Sequence, residues 1–117
     1  MGVMKMVTKI TPEQLFQKLQ AEENVLLLDV RAEEKYKDFH IEDTNVHSVN
    51  IPKTEIFKLT EEREAVVPAL PTDQEIVVTC TTGNSASKCA TILAEKGLDV
   101  IVLDGGINAW KDYLEKE

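Results

Sequence analysis

Short runs of strand-forming residues alternate along the chain with segments of helical periodicity. Three of these runs lack the apolar–polar alternation of a half-exposed strand: Val25–Val30, Glu75–Thr79 and Val100–Leu103. Runs of this kind are typical of strands buried on both faces of a parallel sheet. Two shorter runs, Val7–Ile10 and Ser48–Ile51, add further strands. The pattern predicts an α/β fold whose parallel sheet has helices on both faces, with Val25–Val30 as its central strand.

The predicted helices are bounded by recognisable end signals. Thr11, Pro12 and Gln14 form a capping-box signature, which predicts a helix to about Gln20. Gly97 is expected to end a helix over Asn84–Lys96. The other predicted helices are a short one within Ala32–Asp38, a partial one within Lys53–Leu70 and a last one from Gly105 through Tyr113.

The composition of the chain limits the classes of partner and the cellular location that we expect. The 117 residues carry a net charge of −8, with no Lys/Arg cluster. Because nucleic-acid backbones bind basic patches, we expect no nucleic-acid partner. The longest uninterrupted apolar runs, such as Val25–Leu28, are far shorter than a membrane span, so we expect no membrane association. The sequence predicts one domain over residues 1–117, a cytoplasmic location, and a monomer or weak homo-oligomer.

The cysteines and histidines do not have the spacing of a zinc site. Cys80 and Cys89 are nine residues apart, and His40 and His47 are seven apart. Zinc ligands within one knuckle are closer, about two to five residues apart. We therefore expect no metal and no cofactor, and any function of the cysteines should be thiol chemistry.

Cys80 stands at the carboxyl end of a predicted strand, where parallel sheets bind ligands. The segment Thr81–Ser85 that follows contains Gly83 and can curl so that its backbone N–H groups point at the sulfur. The following helix adds its own free N–H groups and the positive end of its dipole. Such a loop is an anion pocket and favours a nucleophilic thiolate. The alternative is that Cys80 is only a small apolar residue at a strand end.

Five pieces occur in order along the chain: Leu27–Arg31, His40-Ile41, Asn50-Ile51-Pro52, the loop Cys80–Ser85, and Leu103–Gly106 with Trp110. Together they resemble the rhodanese (sulfurtransferase) domain in its single-domain form, over nearly the whole chain. The resemblance implies a five-stranded parallel α/β domain. It also implies that the loop cysteine takes a sulfane sulfur from thiosulfate or from a small-molecule or protein-bound persulfide donor, carries it as a persulfide, and passes it to a thiophilic acceptor such as a thiol.

With this resemblance, Cys80 is the predicted catalytic nucleophile. The predicted substrate-binding residues are the rest of the loop: Thr81, Thr82, Gly83, Asn84 and Ser85. The commonest family loop has two arginines, at the positions that Thr81 and Ser85 occupy here. A minority of active relatives resemble this chain in having a Cys-x-x-Gly-Asn-Ser loop. Because the loop has no cationic side chain, we expect thiosulfate, a dianion, to bind weakly.

A second departure from the family lies between His40 and Asn50. This segment is about four residues longer than the short His-Ile-Pro-Gly-Ala segment of the family and lacks both its Pro and its Gly.

Two other functions are compatible with the same architecture. A phosphatase or arsenate reductase of this fold uses a Cys-x5-Arg loop, but Ala86 stands at the arginine position and no arginine follows Arg63. Without a guanidinium, phosphoryl transfer loses its main charge stabilisation. A non-catalytic binding or regulatory module is the second alternative. It is common for this fold where the cysteine is lost, whereas here the cysteine is present.

Several other reactive residues are assigned structural roles. Asp29 is expected to be an anchor at a strand end, and Arg31 one that faces Glu33 or Glu34. His40 is expected to make a structural hydrogen bond. Cys89, inside a helix, should pack in the core and not meet Cys80 in disulfide geometry. Lys88 is expected to be a solvated residue on a helix face.

Overall fold

Strands and helices alternate along the chain, as the sequence predicts. The structure, a computed structural model, describes residues 7–58, 70–71 and 73–116. In order, the elements are β1 (Thr8–Ile10), α1 (Pro12–Gln20), β2 (Val25–Asp29), α2 (Glu33–Asp38), β3 (Val46–Asn50), α3 (Lys53–Lys58), β4 (Ile76–Thr79), α4 (Asn84–Glu95), β5 (Val100–Leu103) and α5 (Gly106–Lys116).

The strands form one parallel sheet in the order β1-β5-β4-β2-β3. This confirms the predicted parallel α/β architecture. The prediction that Val25–Val30 is the central strand is wrong, because β4 occupies the middle and β2 lies between β4 and β3. Both strands have a neighbour on each side and are buried along their whole length. Their sequence patterns are therefore alike and cannot show which one is central.

Each face of the sheet is covered by helices, which explains the uninterrupted apolar runs. Leu26 and Leu28 of β2 pack with residues of α3 and α4 in one buried cluster. Leu27, between them, packs on the other side with residues of α1 and α5. Since successive strand residues point to opposite faces, both sets must be apolar when both faces are covered.

The predicted end signals of α1 and α4 are present. The Thr11 hydroxyl accepts a hydrogen bond from the Gln14 N–H at 3.1 Å, and the Gln14 side chain accepts one from the Thr11 N–H at 3.0 Å. Gly97 follows α4 with a left-handed φ of 90°. In the segment predicted to be partly helical, α3 covers only Lys53–Lys58, and residues 59–69 lie outside the described part of the chain.

A buried ion pair fixes the end of β2. The Asp29 carboxylate accepts hydrogen bonds from the Arg31 side chain, at 3.0 Å and 3.1 Å from Nε and at 2.7 Å from Nη2. The same guanidinium donates to the Phe39 carbonyl. The Asp29 side chain is 1% exposed and the Arg31 side chain is 9% exposed. Arg31 is thus an anchor, as predicted, but its partner is Asp29 and not Glu33 or Glu34.

No helix within residues 7–58, 70–71 and 73–116 has both the length and the hydropathy needed to span a bilayer.

The ion pair leads to a stability prediction. Arg31→Met leaves the buried Asp29 carboxylate without its partner and should lower the free energy of unfolding by about 3–5 kcal/mol. Lys37→Met removes an exposed pair with Glu33 and should change stability little, because solvent screens such pairs. Urea unfolding of both variants tests the contrast, and equal losses would contradict it.

Candidate functional site

Cys80 occupies the carboxyl edge of the sheet, directly after the central strand β4. Three residues, Thr81–Gly83, connect it to the first residue of α4 at Asn84. Gly83 is the N-cap of α4 and has a left-handed φ of 99°. Glycine adopts this conformation without the steric cost that a side chain would add, and it allows the tight turn back over the sulfur.

Two backbone N–H groups donate hydrogen bonds to the Cys80 sulfur. The Gly83 nitrogen lies 3.0 Å and the Ala86 nitrogen 3.3 Å from Sγ. This confirms the predicted direction of the loop N–H at Gly83. Backbone N–H groups that converge on one atom favour an anion there, so the arrangement stabilises a thiolate or a persulfide anion.

The Ala86 contact shows how α4 and the sulfur depend on each other. Ala86 is the third residue of α4, where an N-cap side chain usually accepts the free N–H. Gly83 has no side chain to do this, and the Cys80 sulfur takes that place. Ala86 was not among the predicted site residues. It could have been identified from the helix start, because N–H groups of the first helical turn have no partner within the helix.

The start of α5 holds the loop from the other side. The N–H groups of Ile107 and Asn108 donate to the carbonyl oxygens of Cys80 and Thr81 at 2.8 Å and 3.1 Å. In a trans peptide the C=O and the next N–H point in opposite directions. The N–H groups of Thr81 and Thr82 therefore point away from α5.

Gly106 allows α5 to come this close. Its φ is 63°, and a Cβ built on it would overlap the Cys80 carbonyl oxygen and lie 2.8 Å from the Thr81 carbonyl group. Only a residue without Cβ fits here, so Gly106 is needed for the loop to have its observed shape.

The sulfur lines a cavity of about 210 Å³ at the sheet edge. Its lining residues are Val30, Arg31, Ala32, Lys35, Lys53, Cys80, Thr81, Thr82 and Ser85. Thus four of the predicted site residues meet in one cavity, and Gly83 reaches the sulfur through its N–H. Asn84 does not line this cavity. It lines a separate one, together with Gly83 and Gly105.

Two cationic residues of this cavity, Lys35 and Lys53, were missed by the sequence analysis. Lys53 follows Pro52, so it lies just beyond the carboxyl end of β3, and Lys35 belongs to α2, which follows β2. The carboxyl ends of parallel strands share one edge of the sheet, and this rule could have placed both lysines near Cys80. Lys88, predicted to be a solvated residue on a helix face, is exposed and is not among the lining residues.

Cys89 is the other thiol, and it is fully buried in α4. Its pKa is raised to about 12, chiefly by burial and in addition by the nearby Cys80, whereas the positive charge of Lys53 acts in the opposite direction. Both cysteines are free. Cys89 packs with Ala90 and Leu93 in the core cluster, which agrees with its predicted packing role.

His40 lies outside the cavity and makes structural contacts. Its Nδ1 is 2.8 Å from the Tyr36 carbonyl oxygen, and its Nε2 is 2.9 Å from the Glu42 carboxylate. Its ring stacks on Tyr36 with centroids 4.0 Å apart. These contacts agree with the structural role predicted for His40. Within the described part of the chain, no group of three or more His, Cys, Asp or Glu residues could hold a metal ion.

The close approach at Gly106 predicts a large effect of one methyl group. Gly106→Ala should lower the free energy of unfolding by about 1–2 kcal/mol for the left-handed conformation, with about 1–3 kcal/mol more for the overlap with the loop carbonyls. Gly97→Ala is a matched control, because Gly97 also has a positive φ but meets no atom within 4 Å. Denaturant unfolding compares the two. A loss at Gly106 no larger than that at Gly97 would contradict the role assigned to the contact.

The two thiols should differ in reactivity. At neutral pH we expect iodoacetamide to label Cys80 and leave Cys89 unmodified, since burial holds Cys89 in its neutral form and the thiolate is the nucleophile. Mass spectrometry of peptides from the native protein counts the label at each position. A denatured sample, in which both thiols should react, is the control, and labelling of native Cys89 at a similar rate would refute the assignment.

Comparison with known proteins places this geometry in a family. The model of the rhodanese-like domain matches residues 11–113. No curated protein matches the chain significantly.

Solved structures share the fold. The rhodanese-like domain protein of Staphylococcus aureus is 23% identical, with a TM-score of 0.74, over 89% of this chain and 91% of that one. The reduced CoADR-RHD protein of Bacillus anthracis is 27% identical, with a TM-score of 0.69, over 94% of this chain but only 17% of that one. A Rhodopseudomonas palustris protein of unknown function, described as a possible tyrosine phosphatase, is 17% identical over 92% of this chain and 81% of that one, with a TM-score of 0.72. On the match to the family model, the chain belongs to the rhodanese-like domain family.

Proposed function

We propose that the chain is a sulfurtransferase that carries a sulfane sulfur as a persulfide on Cys80. The observation that supports this most directly is the pair of N–H groups, from Gly83 and Ala86, that donate to the Cys80 sulfur at the edge of an open cavity. Membership of the rhodanese-like family supports the same chemistry.

The first half-reaction loads the cysteine. The Cys80 thiolate attacks the outer sulfur of thiosulfate or of a persulfide donor. A new S–S bond forms to Cys80, the S–S bond of the donor breaks, and sulfite or the donor thiolate leaves with the electron pair. Attack by a thiolate needs no general base, because there is no proton to remove from the sulfur.

The second half-reaction transfers the sulfur from Cys80 to the acceptor. A thiolate acceptor attacks the outer sulfur of the Cys80 persulfide, and the Cys80 thiolate leaves with the electron pair. The group on the enzyme that attacks in the first half-reaction and the group that leaves in the second are the same one, the Cys80 thiolate. N–H groups aimed at Cys80 Sγ therefore stabilise the thiolate that attacks in the first half-reaction and leaves in the second. Thr81, Thr82 and Ser85 line the approach to the sulfur, where their hydroxyls would contact the donor. The donor, whether a small molecule or a protein, and the thiol acceptor are the partners of this proposal.

Phosphoryl or arsenate chemistry is less well supported. The site lacks an arginine at the loop position, where Ala86 is fully buried instead. Among the described residues that line the cavity, the arginine is Arg31, and it is bound to Asp29 and to the Phe39 carbonyl. A non-catalytic module would not need a polarised thiol, but it is a possible outcome of the experiment below.

Intact-mass spectrometry tests the persulfide directly. After incubation with thiosulfate or glutathione persulfide, we expect the protein to gain the mass of one sulfur atom, and to lose it when a dithiol is added. Cys80→Ser should abolish the gain, whereas Cys89→Ser should keep most of it because that thiol is buried and neutral.

Two results would contradict the proposal. No gain of sulfur in the wild-type protein from either donor would favour a binding module. If Cys80→Ser and Cys89→Ser reduce the gain of sulfur equally, the reaction uses both thiols.

A further inference from the structure

A second cavity, larger than the one at Cys80, lies on the face of the sheet that α1 and α5 cover. Its volume is about 700 Å³, against about 210 Å³ at Cys80. The residues that line it come from α1, α5 and the segment Lys37–Asp43, which leads from the end of α2 toward β3. No residue of the Cys80–Ser85 loop lines it. We call this cavity the α1–α5 groove, and it is separate from the candidate site.

The α1–α5 groove has an apolar lining. Its apolar residues are Phe16 and Leu19 of α1, Phe39 and Ile41 of the connecting segment, and Trp110 and Leu114 of α5. The rings of Phe16 and Trp110 lie against each other, with centroids 6.5 Å apart. Leu114 is 41% exposed, and no other large apolar side chain within residues 7–58, 70–71 and 73–116 is exposed. An apolar groove with an exposed leucine is a surface that is stabilised when a partner covers it.

The charged residues that line the groove are mostly acidic. Asp38, Glu42 and Asp43 contribute carboxylates, and Lys37 contributes an ammonium group. That ammonium group is already bound to the Glu33 carboxylate at 2.8 Å. Among the described residues, no cationic side chain forms an ion pair with Asp38 or Asp43. A ligand that carries positive charge would therefore meet carboxylates that have no cationic partner.

Two further basic side chains at the groove leave these two aspartates unpaired. His40 Nε2 contacts the Glu42 carboxylate at 2.9 Å. Lys111 Nζ lies over the Phe39 ring, 4.4 Å from its centroid. The two aspartates are exposed, so their charge faces the solvent and any ligand that enters the groove.

The connecting segment is also where this chain departs from the family pattern. The stretch between His40 and Asn50 is about four residues longer than the family segment that it resembles. Ile41, Glu42 and Asp43 lie in this stretch, and they contribute an apolar side chain and two of the three carboxylates to the groove. The groove thus depends on residues that the sulfurtransferase chemistry at Cys80 does not use.

We propose that the α1–α5 groove binds an amphipathic helix of a partner protein, with the apolar face of that helix in the groove and its lysine or arginine residues against Asp38, Glu42 and Asp43. Helices bind apolar grooves through side chains at positions i, i+3, i+4 and i+7. A cavity of about 700 Å³ has room for several such side chains. A second copy of this chain fits less well, because two chains that each carry a net charge of −8 repel each other.

Helix α2 contributes to both the groove and the cavity of the candidate site. Lys35 lines that cavity, and Lys37 and Asp38 line the groove. The Phe39 carbonyl accepts a hydrogen bond from the Arg31 guanidinium, and Arg31 also lines the cavity. Since α2 has six residues, it is about 9 Å long. A protein that is held in the groove therefore lies close to the opening of the candidate site.

Fluorescence titration with a synthetic peptide tests the groove. The probe is an amphipathic peptide of about 14 leucine and lysine residues, about four helical turns, and the control peptide has glutamate in place of each lysine. Trp110 is the only tryptophan of the chain and lines the groove, so its fluorescence reports binding there. We expect the lysine peptide to change the Trp110 emission until it saturates, and the glutamate peptide to leave the emission unchanged.

Variants of exposed residues separate the apolar contact from the charged ones. Leu114→Ser should weaken binding of the lysine peptide about fivefold, because less apolar surface is buried. The double variant Asp38→Asn/Asp43→Asn should weaken it about fivefold at low salt and less at high salt, since salt screens exposed charges. The double variant Glu95→Gln/Asp99→Asn removes two carboxylates outside the groove and should leave binding unchanged.

Several results would overturn the proposal. It is wrong if the lysine peptide does not change the Trp110 emission, if the glutamate peptide binds as well, or if the groove variants bind like the wild type. It is also wrong if Glu95→Gln/Asp99→Asn weakens binding as much as the aspartate variant, because the effect is then one of overall charge. If the wild type sediments as a dimer and Leu114→Ser as a monomer, a second copy occupies the groove instead. None of these measurements involves sulfur transfer, so the inference and the proposed function stand or fall separately.

Discussion

The site depends on the contact between the start of α5 and the loop after β4. The N–H groups of Ile107 and Asn108 bind the carbonyl oxygens of Cys80 and Thr81, and this contact requires the absence of a side chain at Gly106. With the carbonyl groups held on the α5 side, the intervening N–H groups must face the other way. A segment far along the chain thereby determines which polar groups are available beside Cys80.

The same loop combines a structural and a chemical role in one atom. The Cys80 sulfur accepts the N–H of Ala86, which in most helices an N-cap side chain would accept. Gly83, at the N-cap, provides no such side chain, so the helix end remains directed at the sulfur. An N-cap serine or asparagine would satisfy α4 better and would compete with the thiolate for its N–H donors. In this respect the loop favours the anion over the stability of the helix.

The sequence was sufficient to predict the features that depend on neighbouring residues. The capping box at Thr11, the buried runs of β2 and β4, and the N–H groups around Cys80 all follow from short segments. The order of the strands in the sheet cannot be predicted from short segments, because β2 and β4 have the same pattern of burial. Lys53 was missed for a similar reason, since its position depends on the pairing of β2 with β3 and β4. Arg31 pairs with Asp29, two residues before it, although Glu33 of α2 is equally near in sequence.

The site separates two kinds of charge stabilisation. In the proposed reaction the Cys80 thiolate is the attacking group of one step and the leaving group of the other, and fixed N–H dipoles aimed at its sulfur suit both steps because they need no rearrangement. The charge that would arrive and depart in that reaction belongs to the donor. An arginine in the loop would place a rigid cation close to the sulfur and perform both tasks at once. In this chain the Cys80–Ser85 loop offers the sulfur neutral backbone N–H groups, and the cationic side chains that line the cavity, those of Arg31, Lys35 and Lys53, come from segments outside the loop.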